Sequence, residues 1–291
     1  MKKIFALIYT VAAMATMCAM PCHAIKIGLI TDAKQIGIGA SVTTSLIDAN
    51  TNKTVCKLDG MKGYDIIPYK NKMAIRLKGK FYQIHSDYLV LKPEKGGFVN
   101  AKRKWYRGFL IIQNKNNKLT VINDVGLEQY IRGVVPAEMP SSWELEALKA
   151  QAIAARSYAL ANLGKRASLG FDLKDTPEDQ AYGGASAETA KTNTAVQDTD
   201  HIVLTYNYKV VSAYYSASAG GQSISAKDVW GKDLPYIRSV PSYDGNVKKN
   251  GHGVGMSQHG ANNLAKEGYN AYQILEYFYK NIRFAKVSDK S

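Results

Sequence analysis

Hydrophobic and polar positions divide the chain into a first part patterned for strands and a second part patterned mainly for helices. From Ile25 to about Leu119, short apolar runs alternate with polar residues, and Gly, Asn, Lys and Pro clusters separate them, as is typical of short strands joined by turns. The strand candidates are 25–30, 54–58, 73–77, 88–92, 105–112 and, after a turn at 114–117, 119–123. The last two form a predicted hairpin that leads into the second part, and the β-rich region is interpreted as a scaffold.

The centre of the second part is the largely apolar octet 133–140, which contains one carboxylate, Glu138. Pro136 and Pro140 flank Glu138, and each proline fixes its own φ and restricts the residue before it. A stiff turn is therefore predicted here, after a short helix or turn at 127–131. A carboxylate on such a turn, among apolar neighbours and beside a helix start, is suited to act as an acid. An ordinary surface carboxylate, favoured by the helix dipole, fits the same spacing.

Capping residues and helical periodicity predict the helices that follow. Ser141 as N-cap with Glu144 three residues later is the pattern of a capping box, and it predicts a long helix from Trp143 to about Leu163, ended by Gly164. The other candidates are helices at 187–197 with Ser186 as N-cap, from about 257 to 268 and at 272–281, and a hairpin of 201–206 with 209–215. These elements predict an α+β fold, in which a mixed sheet with packed helices follows a β-rich N-terminal region.

Two loops of small residues are suited to close approach by a ligand. The segment 216–221 reads Ser-Ala-Ser-Ala-Gly-Gly, and the segment 251–260 contains four glycines and two histidines. The second loop leads into a predicted helix, whose first backbone N–H groups could bind a ligand. A phosphate-binding loop is a weak alternative, because the Lys-Ser/Thr ending of that motif is missing.

The N-terminus has the pattern of a secretory signal peptide. Two lysines precede an uncharged apolar run over 4–20, and Cys22-His23-Ala24 follows as a cleavage site. The predicted organisation is a signal peptide at 1–24, a β-rich region at 25–118 and a catalytic domain at 119–291, exported across the cytoplasmic membrane to the periplasm or cell wall. A retained N-terminal anchor is the alternative. Of three cysteines only Cys56 then remains, so no internal disulfide is expected. Cys56 could pair between chains, but burial is the favoured prediction.

Composition and charge narrow the class of partner. The 291 residues are 46% hydrophobic and 21% charged, which is typical of a globular protein. The net charge of +14 favours anionic envelope polymers or membrane surfaces. No nucleic-acid motif accompanies the basic residues, which we take to be spread along the chain apart from 102–104 and 248–249, so nucleic acid is not expected as a partner.

Four segments that occur in a fixed order carry a family resemblance. They are 134–140 (VVPAEMP), 151–158 (QAIAARSY), 214–221 (YYSASAGG) and 251–261 (GHGVGMSQHGA). Over roughly 119–284 the chain resembles the family of stage II sporulation protein D, also called SpoIID/LytB.

The resemblance implies a lytic transglycosylase that cleaves bacterial peptidoglycan between N-acetylmuramic acid and N-acetylglucosamine, preferably on strands already stripped of stem peptides by an amidase. The glutamate of the Pro-Ala-Glu-Met segment, Glu138, is then the catalytic acid. The residues expected to contact sugar are Gln151, Arg156, Tyr158, Tyr182, Tyr215, Ser216, Ser218, His252 and Gln258. From the residues alone, Arg156 could equally be a solvated arginine, and most tyrosines could be packing residues.

The chain departs from the family in two places. Some members carry a zinc site in the loop that here reads 172–182, but Lys174, Glu178 and Asp179 stand around the ligand positions, so neither a metal nor another cofactor is expected. An insertion usual before the glycine-rich motif is shortened to 241–250, which bears on the shape of one wall of the glycan groove.

The chemistry of a lytic transglycosylase suits a single carboxyl group. The acid protonates the glycosidic oxygen, the exocyclic hydroxyl of the muramic acid attacks, and the same group then removes the hydroxyl proton. For this, the pKa of Glu138 should be raised by its apolar neighbours, whereas a nearby helix N-terminus would lower it.

Three other functions remain open at this point. A hydrolase would pair Glu138 with Asp172, Asp175 or Asp228 as a second carboxylate. A non-catalytic wall-binding protein that modifies an amidase or autolysin would bind glycan without shortening it. A metal hydrolase built on His252 and His259 is disfavoured, because the two lie in a glycine loop rather than on a helix.

Overall fold

The computed structural model describes residues 24–94 and 96–288, which form an α+β fold as the sequence predicts. The predicted signal peptide, apart from Ala24, lies outside the described residues. In the β-rich part the strands are β1 (Ala24–Ala33), β2 (Ile36–Ala40), β3 (Thr44–Asp48), β4 (Lys53–Leu58), β5 (Gly63–Tyr69), β6 (Lys72–Leu77), β7 (Lys80–Ile84), β8 (Tyr88–Pro93), β9 (Val99–Ala101), β10 (Lys104–Tyr106), β11 (Phe109–Lys115) and β12 (Lys118–Gly126).

The second part contains the helices and six short strands. The helices are α1 (Leu127–Glu138), α2 (Leu145–Ala161), α3 (Ala190–Asp198), α4 (Ala226–Trp230), α5 (Gln258–Lys266) and α6 (Ala271–Phe278). The strands are β13 (Leu173–Lys174), β14 (Ile202–Tyr206), β15 (Lys209–Val210), β16 (Tyr215–Ser216), β17 (Met256–Ser257) and β18 (Arg283–Lys286). Short 3₁₀ turns lie at Ala167–Leu169 and Gly184–Ala187. No helix in the described ranges combines the length and the apolar character needed to span a bilayer.

Two large sheets build the β-rich part. One has seven strands in the order β13-β1-β12-β11-β8-β3-β4, and the other has six in the order β10-β9-β2-β5-β6-β7. All neighbours are antiparallel except β13, which runs parallel to β1. The predicted boundary between residues 118 and 119 falls in the β11–β12 hairpin, and β12 pairs with both β11 and β1. The seven-stranded sheet therefore contains strands from both sides of the predicted boundary.

The single strand predicted at 105–112 is wrong, because the chain changes sheets in the middle of it. Trp105 pairs with Asn100 in the six-stranded sheet, whereas Ile111 pairs with Ile122 in the seven-stranded sheet. Gly108 makes the break, with φ of 74°. A Cβ at Gly108 would lie 2.1 Å from the Asp124 carbonyl oxygen, so only glycine fits this corner.

Helix α2 is the central helix of the second part and packs against α1, α3, α5, α6 and β14. One face of the helix consists mainly of small residues, and Leu148, Ala152, Ala155 and Ala159 on it are fully buried. Alanines leave room for close approach of several neighbours, which explains why almost the whole circumference of the helix is covered.

Helix α1 extends without interruption to Glu138, so the stiff proline turn predicted there is wrong. Pro136 lies in the last turn of the helix. There, its missing N–H leaves only the Arg132 carbonyl without its helical partner, and the packing of the buried Val134 and Val135 outweighs that loss.

Two predicted helix starts are also displaced. Helix α2 begins at Leu145 without a side-chain cap, and the Glu144 N–H donates to Asn262 Oδ1 at 2.9 Å, so the Ser141 capping box is wrong. Helix α3 is capped by Thr189, while Ser186 Oγ accepts from the Trp105 N–H at 2.8 Å. A long-range contact thus replaces the predicted local cap of α2, whereas α3 keeps a local cap, three residues after the predicted one.

Cys56 is half-buried on the edge strand β4 rather than buried as predicted. Burial nevertheless raises the pKa of its thiol above the ordinary value.

Candidate active site

Glu138, at the C-terminal end of α1, lies in a pocket of about 630 Å³. The pocket is formed where the end of α1 meets the loop 177–181, strand β16 and the glycine-rich loop before α5. The residues that line it are Ala137, Glu138, Tyr158, Lys165, Pro177, Glu178, Asp179, Ala181, Tyr214, Tyr215, Ser216, Ala217, Trp230, Lys232, Asn250, Gly251, His252 and Gln258.

Both oxygens of the Glu138 carboxyl group accept hydrogen bonds. The Ala181 N–H donates to Oε1 at 2.6 Å, and Gln258 Nε2 donates to Oε2 at 3.2 Å. Gln258 Nε2 also lies 3.4 Å from Gln151 Oε1, which helps to fix the direction of the Gln258 amide. The carboxyl group is thereby held in one orientation, with part of its surface open to the pocket.

Burial raises the pKa of Glu138 above its ordinary value, because the protein removes most of the water around the charged form. Hydrogen bonds from the Ala181 N–H, Gln258 and Tyr215 act in the opposite direction and do not cancel the effect of burial. The expectation that a helix N-terminus lowers the pKa of Glu138 is wrong. Glu138 ends α1, where the helix dipole is negative and also disfavours a carboxylate.

A buried chain of hydrogen bonds orients the Tyr215 hydroxyl. Gln180 Nε2 donates to the Tyr215 hydroxyl at 2.8 Å and to the Ala155 carbonyl at 3.2 Å, and the Tyr130 hydroxyl donates to Gln180 Oε1 at 3.2 Å. Because the Tyr215 oxygen accepts from Gln180, its own proton is free to point to Glu138. Gln180 is therefore a positioning residue, and no pattern in the sequence pointed to it.

The loop that supplies Ala181 is fixed to α1 by close packing at Gly133. The Gly183 N–H donates to the Gly133 carbonyl at 3.0 Å, and a Cβ on Gly133 would lie 2.5 Å from the Tyr182 ring. Tyr182 is buried against Tyr106 and Tyr130, and its hydroxyl donates to Asn123 Oδ1 at 2.9 Å. Tyr182 thus anchors the loop and lies outside the pocket lining, which is not the position expected of a sugar contact.

Strands β16 and β17 run parallel and bring the two small-residue loops together. Gly255 permits this, since a Cβ there would lie 2.0 Å from the Tyr214 carbonyl oxygen. Ser216 lines the pocket and accepts from the Gly253 N–H at 3.2 Å, whereas Ser218 is buried and donates to the Lys248 carbonyl at 2.6 Å. Ser218 therefore positions the loop and does not face the pocket.

Aromatic rings form one wall of the pocket. The rings of Tyr214 and Trp230 are 4.6 Å apart, and His252 packs edge-on against Trp230 at 5.1 Å. His252 Nδ1 accepts from the Val254 N–H at 2.9 Å, and burial together with Lys249 lowers the pKa of His252. A neutral histidine beside a half-exposed tryptophan gives an amphipathic wall suited to a sugar face.

Ion pairs form the opposite rim. Asp179 accepts from Lys165 at Oδ1 and from Arg166 at Oδ2, both at 2.6 Å, and also from the Lys174 N–H at 2.8 Å. Lys165 reaches the Tyr158 hydroxyl at 3.1 Å. These contacts lower the pKa of Asp179 against the effect of its burial, so Asp179 is a structural anion.

Asp244 joins the short segment 241–250 to both loops. Its Oδ2 accepts from the N–H groups of residues 219–221 at 2.8, 2.7 and 3.3 Å and from the Ser242 hydroxyl at 2.7 Å. Its Oδ1 accepts from the hydroxyl of Ser257, the N-cap of α5. The hydrogen bonds lower the pKa of the buried Asp244. Its charge therefore holds segment 241–250, residues 219–221 and the start of α5 together.

The structure brings together six of the ten residues expected in the site. Glu138, Tyr158, Tyr215, Ser216, His252 and Gln258 line the pocket. Gln151, Tyr182 and Ser218 are buried behind it.

Arg156 is also fully buried and lies outside the pocket lining. It donates to Glu128 through Nε and Nη2 at 2.6 and 2.7 Å and to the Ile202 carbonyl at 2.9 Å. The expected sugar contact is wrong for Arg156. A buried guanidinium needs a carboxylate and several acceptors, and the fold supplies them inside the core.

The carboxylates considered as partners for Glu138 do not line the pocket. Asp172 accepts from the Lys26 N–H, Asp175 pairs with Lys102 at 2.6 Å, and Asp228 lies beside Ser225 at the start of α4. The acidic residues that do line it are Glu178 and Asp179. Within the described ranges, the residues grouped closely enough to share a metal ion are Glu128, Asp200 and His201, not His252 and His259, and Arg156 already binds both Glu128 oxygens.

Several pocket residues were not selected from the sequence. They are Ala181, which acts through its backbone, Lys165, Glu178, Asp179, Trp230 and Lys232. The aromatic pair that precedes Ser216 was a usable signal for Tyr214, but no spacing pattern links Trp230 or Lys232 to Glu138.

Comparisons with known proteins find relatives of the region around Glu138. Residues 115–206 match the family described as stage II sporulation protein, SpoIID. An uncharacterised protein of Brachyspira hyodysenteriae is 33% identical over 198 residues, which are 68% of this chain and 50% of that protein. The amidase enhancer of Bacillus subtilis is 43% identical over 107 residues, 37% of this chain and 14% of that protein.

Stage II sporulation protein D of Bacillus subtilis is 27% identical over 260 residues, covering 57% of this chain and 76% of that protein. The chain thus spans half of the Brachyspira relative and a smaller share of the amidase enhancer. The matched region contains α1, α2 and the Ala181 loop, which build the environment of Glu138. The region of the chain that holds Glu138 therefore belongs to the stage II sporulation protein, SpoIID, family.

Proposed function

We propose that the chain is an exported peptidoglycan lytic transglycosylase that cleaves peptide-stripped glycan strands, with Glu138 as both acid and base. The observation that carries the proposal is a single half-buried carboxyl group of raised pKa in a pocket whose other acidic groups are engaged by cations. Asp179 is bound by Lys165 and Arg166, and Glu178 by Lys174 at 2.7 Å. One acid without a second free carboxylate suits a reaction whose nucleophile belongs to the substrate.

In the proposed reaction, protonated Glu138 donates its proton to the glycosidic oxygen while the bond to the muramic acid breaks. The exocyclic hydroxyl of the same muramic acid forms the new bond to the oxocarbenium-like carbon. The Glu138 carboxylate takes the hydroxyl proton and returns to the protonated state. The products are an anhydromuramic acid end and a free N-acetylglucosamine hydroxyl, with no water consumed.

The surroundings of Glu138 suit both halves of this cycle. Burial favours the protonated carboxyl group that the first half needs, and the N–H of Ala181 with the side chains of Gln258 and Tyr215 stabilises the carboxylate that forms in the second. The aromatic wall of Tyr214 and Trp230 would stack on a sugar ring next to the cleaved bond.

The same proposal covers location, domains and partners. Residues 1–24 would direct export to the periplasm or cell wall, 25–118 would form the β-rich scaffold, and 119–291 would carry the catalysis. A cell-wall amidase would act first, because stripped strands are its product.

A second candidate function is a non-catalytic modifier that binds wall glycan and stimulates an amidase. The amidase enhancer that is 43% identical over 107 residues favours this candidate. In that case the pocket would hold glycan, and the acidity of Glu138 would have no consequence for the length of the strand.

The test uses purified peptide-free glycan strands with wild type, Glu138→Gln and the matched variant Glu178→Gln. Glu178 lines the same pocket but is exposed, with 57% of its side chain accessible. Mass spectrometry of the new ends is expected to show anhydro ends from wild type and Glu178→Gln and none from Glu138→Gln. Free reducing ends, lost in Glu178→Gln, would refute the transglycosylase in favour of a hydrolase. Retained binding without cleavage by wild type would favour the modifier.

A further inference from the structure

A second cleft, in the β-rich part, is lined by more basic than acidic residues, unlike the pocket of Glu138. It encloses about 820 Å³ between the edge strand β4 and the strands β5, β6 and β7. The residues that line it are Lys57, Asp59, Lys62, Gly63, Tyr64, Asp65, Arg76, Leu77, Lys78, Gly79 and Tyr82. Four basic side chains therefore face two acidic ones.

The cations of this cleft are only partly neutralised. Lys62 pairs with Asp59 at 2.7 Å, and Arg76 lies 3.7 Å from Asp65. Within the described residues, Lys57 and Lys78 form no salt bridge of their own. The cleft thus keeps a positive charge that is available to an anionic ligand.

The positive charge of the protein is concentrated in the same part of the chain. Residues 25–118 contain 18 Lys and Arg against 6 Asp and Glu, whereas residues 119–291 contain 18 of each kind. Basic residues thus occur in both parts, as expected, but in residues 25–118 far fewer acidic residues balance them. The whole net charge outside the first 24 residues belongs to the β-rich part, which attracts polyanions over distances of about 10 Å at moderate salt.

The catalytic pocket does not provide this attraction. Its charged lining consists of Glu138, Glu178 and Asp179 against Lys165 and Lys232. A peptide-stripped glycan strand carries one free carboxylate on each muramic acid, so it gains little from the formal charge of this pocket. Retention of such a strand needs a basic surface elsewhere on the same molecule.

The cleft also carries aromatic surface for sugar rings. Tyr82 lies on the edge strand β7 with 50% of its surface exposed. Tyr64 is fixed in the wall because its hydroxyl accepts from the Asp59 N–H at 2.9 Å. Rings beside separated cations match a polymer in which sugar faces alternate with carboxylates, more closely than they match a polyphosphate chain.

We propose that this cleft is a second glycan-binding site, which holds a carboxylate-bearing, peptide-stripped strand while the Glu138 pocket acts on the same polymer. The proposal rests on the proposed function for the choice of ligand, but the binding itself does not depend on cleavage. It gives the β-rich part a role in substrate retention in place of the purely structural role expected from the sequence.

The experiment measures binding by the full chain carrying Glu138→Gln, so that no strand is cut. Insoluble peptide-free glycan is the probe, and the test variant is Lys78→Ala with Tyr82→Ala. The matched control is Tyr208→Ala with Lys209→Ala, since Tyr208 is 73% exposed in a turn and neither residue lines either pocket. Lys78 and Tyr208 both have positive φ, 47° and 62°, so the backbone strain of the two alanines is comparable.

The test variant is expected to bind about tenfold more weakly than the control, which corresponds to about 1.4 kcal/mol. Its binding should also depend less steeply on NaCl concentration, because one cation is removed. Equal melting temperatures of the two variants establish that both are folded. Binding within twofold of the control, or a loss confined to a polyphosphate probe with glycan binding intact, would overturn the proposal. If wild type cuts no glycan but the test variant alone loses binding, the proposed reaction fails and the second site stands.

Discussion

Asp244→Asn is the substitution that most directly tests whether a buried charge orders the wall of the pocket. The carboxylate accepts three backbone N–H groups and the hydroxyls of Ser242 and Ser257. An asparagine keeps the shape of the side chain but removes its charge. Its NH₂ group is a donor and has to face N–H and hydroxyl groups that also donate.

The expected cost follows from these contacts. A hydrogen bond to a charged group contributes about 1 kcal/mol more than a neutral one, so the three N–H bonds alone imply a loss of about 3 kcal/mol in the free energy of unfolding. Ser257 has a further constraint, because its Oγ also accepts from the Gly260 N–H at 3.0 Å. Losing the acceptor of its proton weakens the start of α5, which carries Gln258.

The assay is urea unfolding of wild type, Asp244→Asn and the control Asp233→Asn, whose exposed side chain has one partner, Arg238. The control should stay within about 0.5 kcal/mol of wild type. Because the pKa of Asp244 is lowered from 3.8, its contribution is present at neutral pH and is lost as the pH falls below about 4. A difference from wild type below 1 kcal/mol at pH 7, or one that persists unchanged at pH 3, would refute the reasoning.

Three further predictions concern the acid and its support. Tyr215→Phe should lower kcat about tenfold, the loss of one hydrogen bond to the Glu138 carboxylate, and should move the alkaline limb of the pH–rate profile to higher pH, because that bond lowers the Glu138 pKa; an unshifted limb would contradict this. Glu138→Gln should be more stable than wild type at pH 7 in thermal unfolding, and the gap should close below pH 4.5, because a raised folded pKa gives stability that is lost as the pH rises through it; a less stable variant at pH 7 would contradict it. Gly133→Ala should cost about 1–3 kcal/mol in unfolding free energy, because its Cβ would overlap the Tyr182 ring, while Gly37→Ala, with open space around it and no positive φ, serves as the control for overlap; equal losses would show that packing at Gly133 is unimportant.

The class of fold and the order of its elements were predictable because alternation and small-residue periodicity are local signals. The β-rich part, the α2 face and the helix that starts at Ser257 are visible in this way. The errors occurred where distant contacts decide. Glu144 is capped by Asn262 from 118 residues away, and the strand at 105–112 is split because Gly108 meets β12.

The candidate site shows the same division. Motif residues on both sides of the pocket were identified, yet Arg156 and Tyr182 belong to the core. A motif shows that a residue type is needed, but it does not show which face of the fold that residue supports. Gln180 and Ala181 were missed because one acts through a buried amide chain and the other through its backbone, and neither role leaves a pattern in the sequence.

The two fixed contacts of Glu138 also determine when its unusual acidity arises. Ala181 lies 43 residues and Gln258 lies 120 residues further along the chain. Contacts of such sequence separation form late, after the loops between them have closed. Until then Glu138 is an ordinary solvated carboxyl group, which is deprotonated at neutral pH, so a chain that is still being synthesised has no proton to donate at this position. Under the proposed function, the protein is therefore inactive during its own synthesis. It becomes able to cleave glycan only when its C-terminal helices have packed against the rest of the fold.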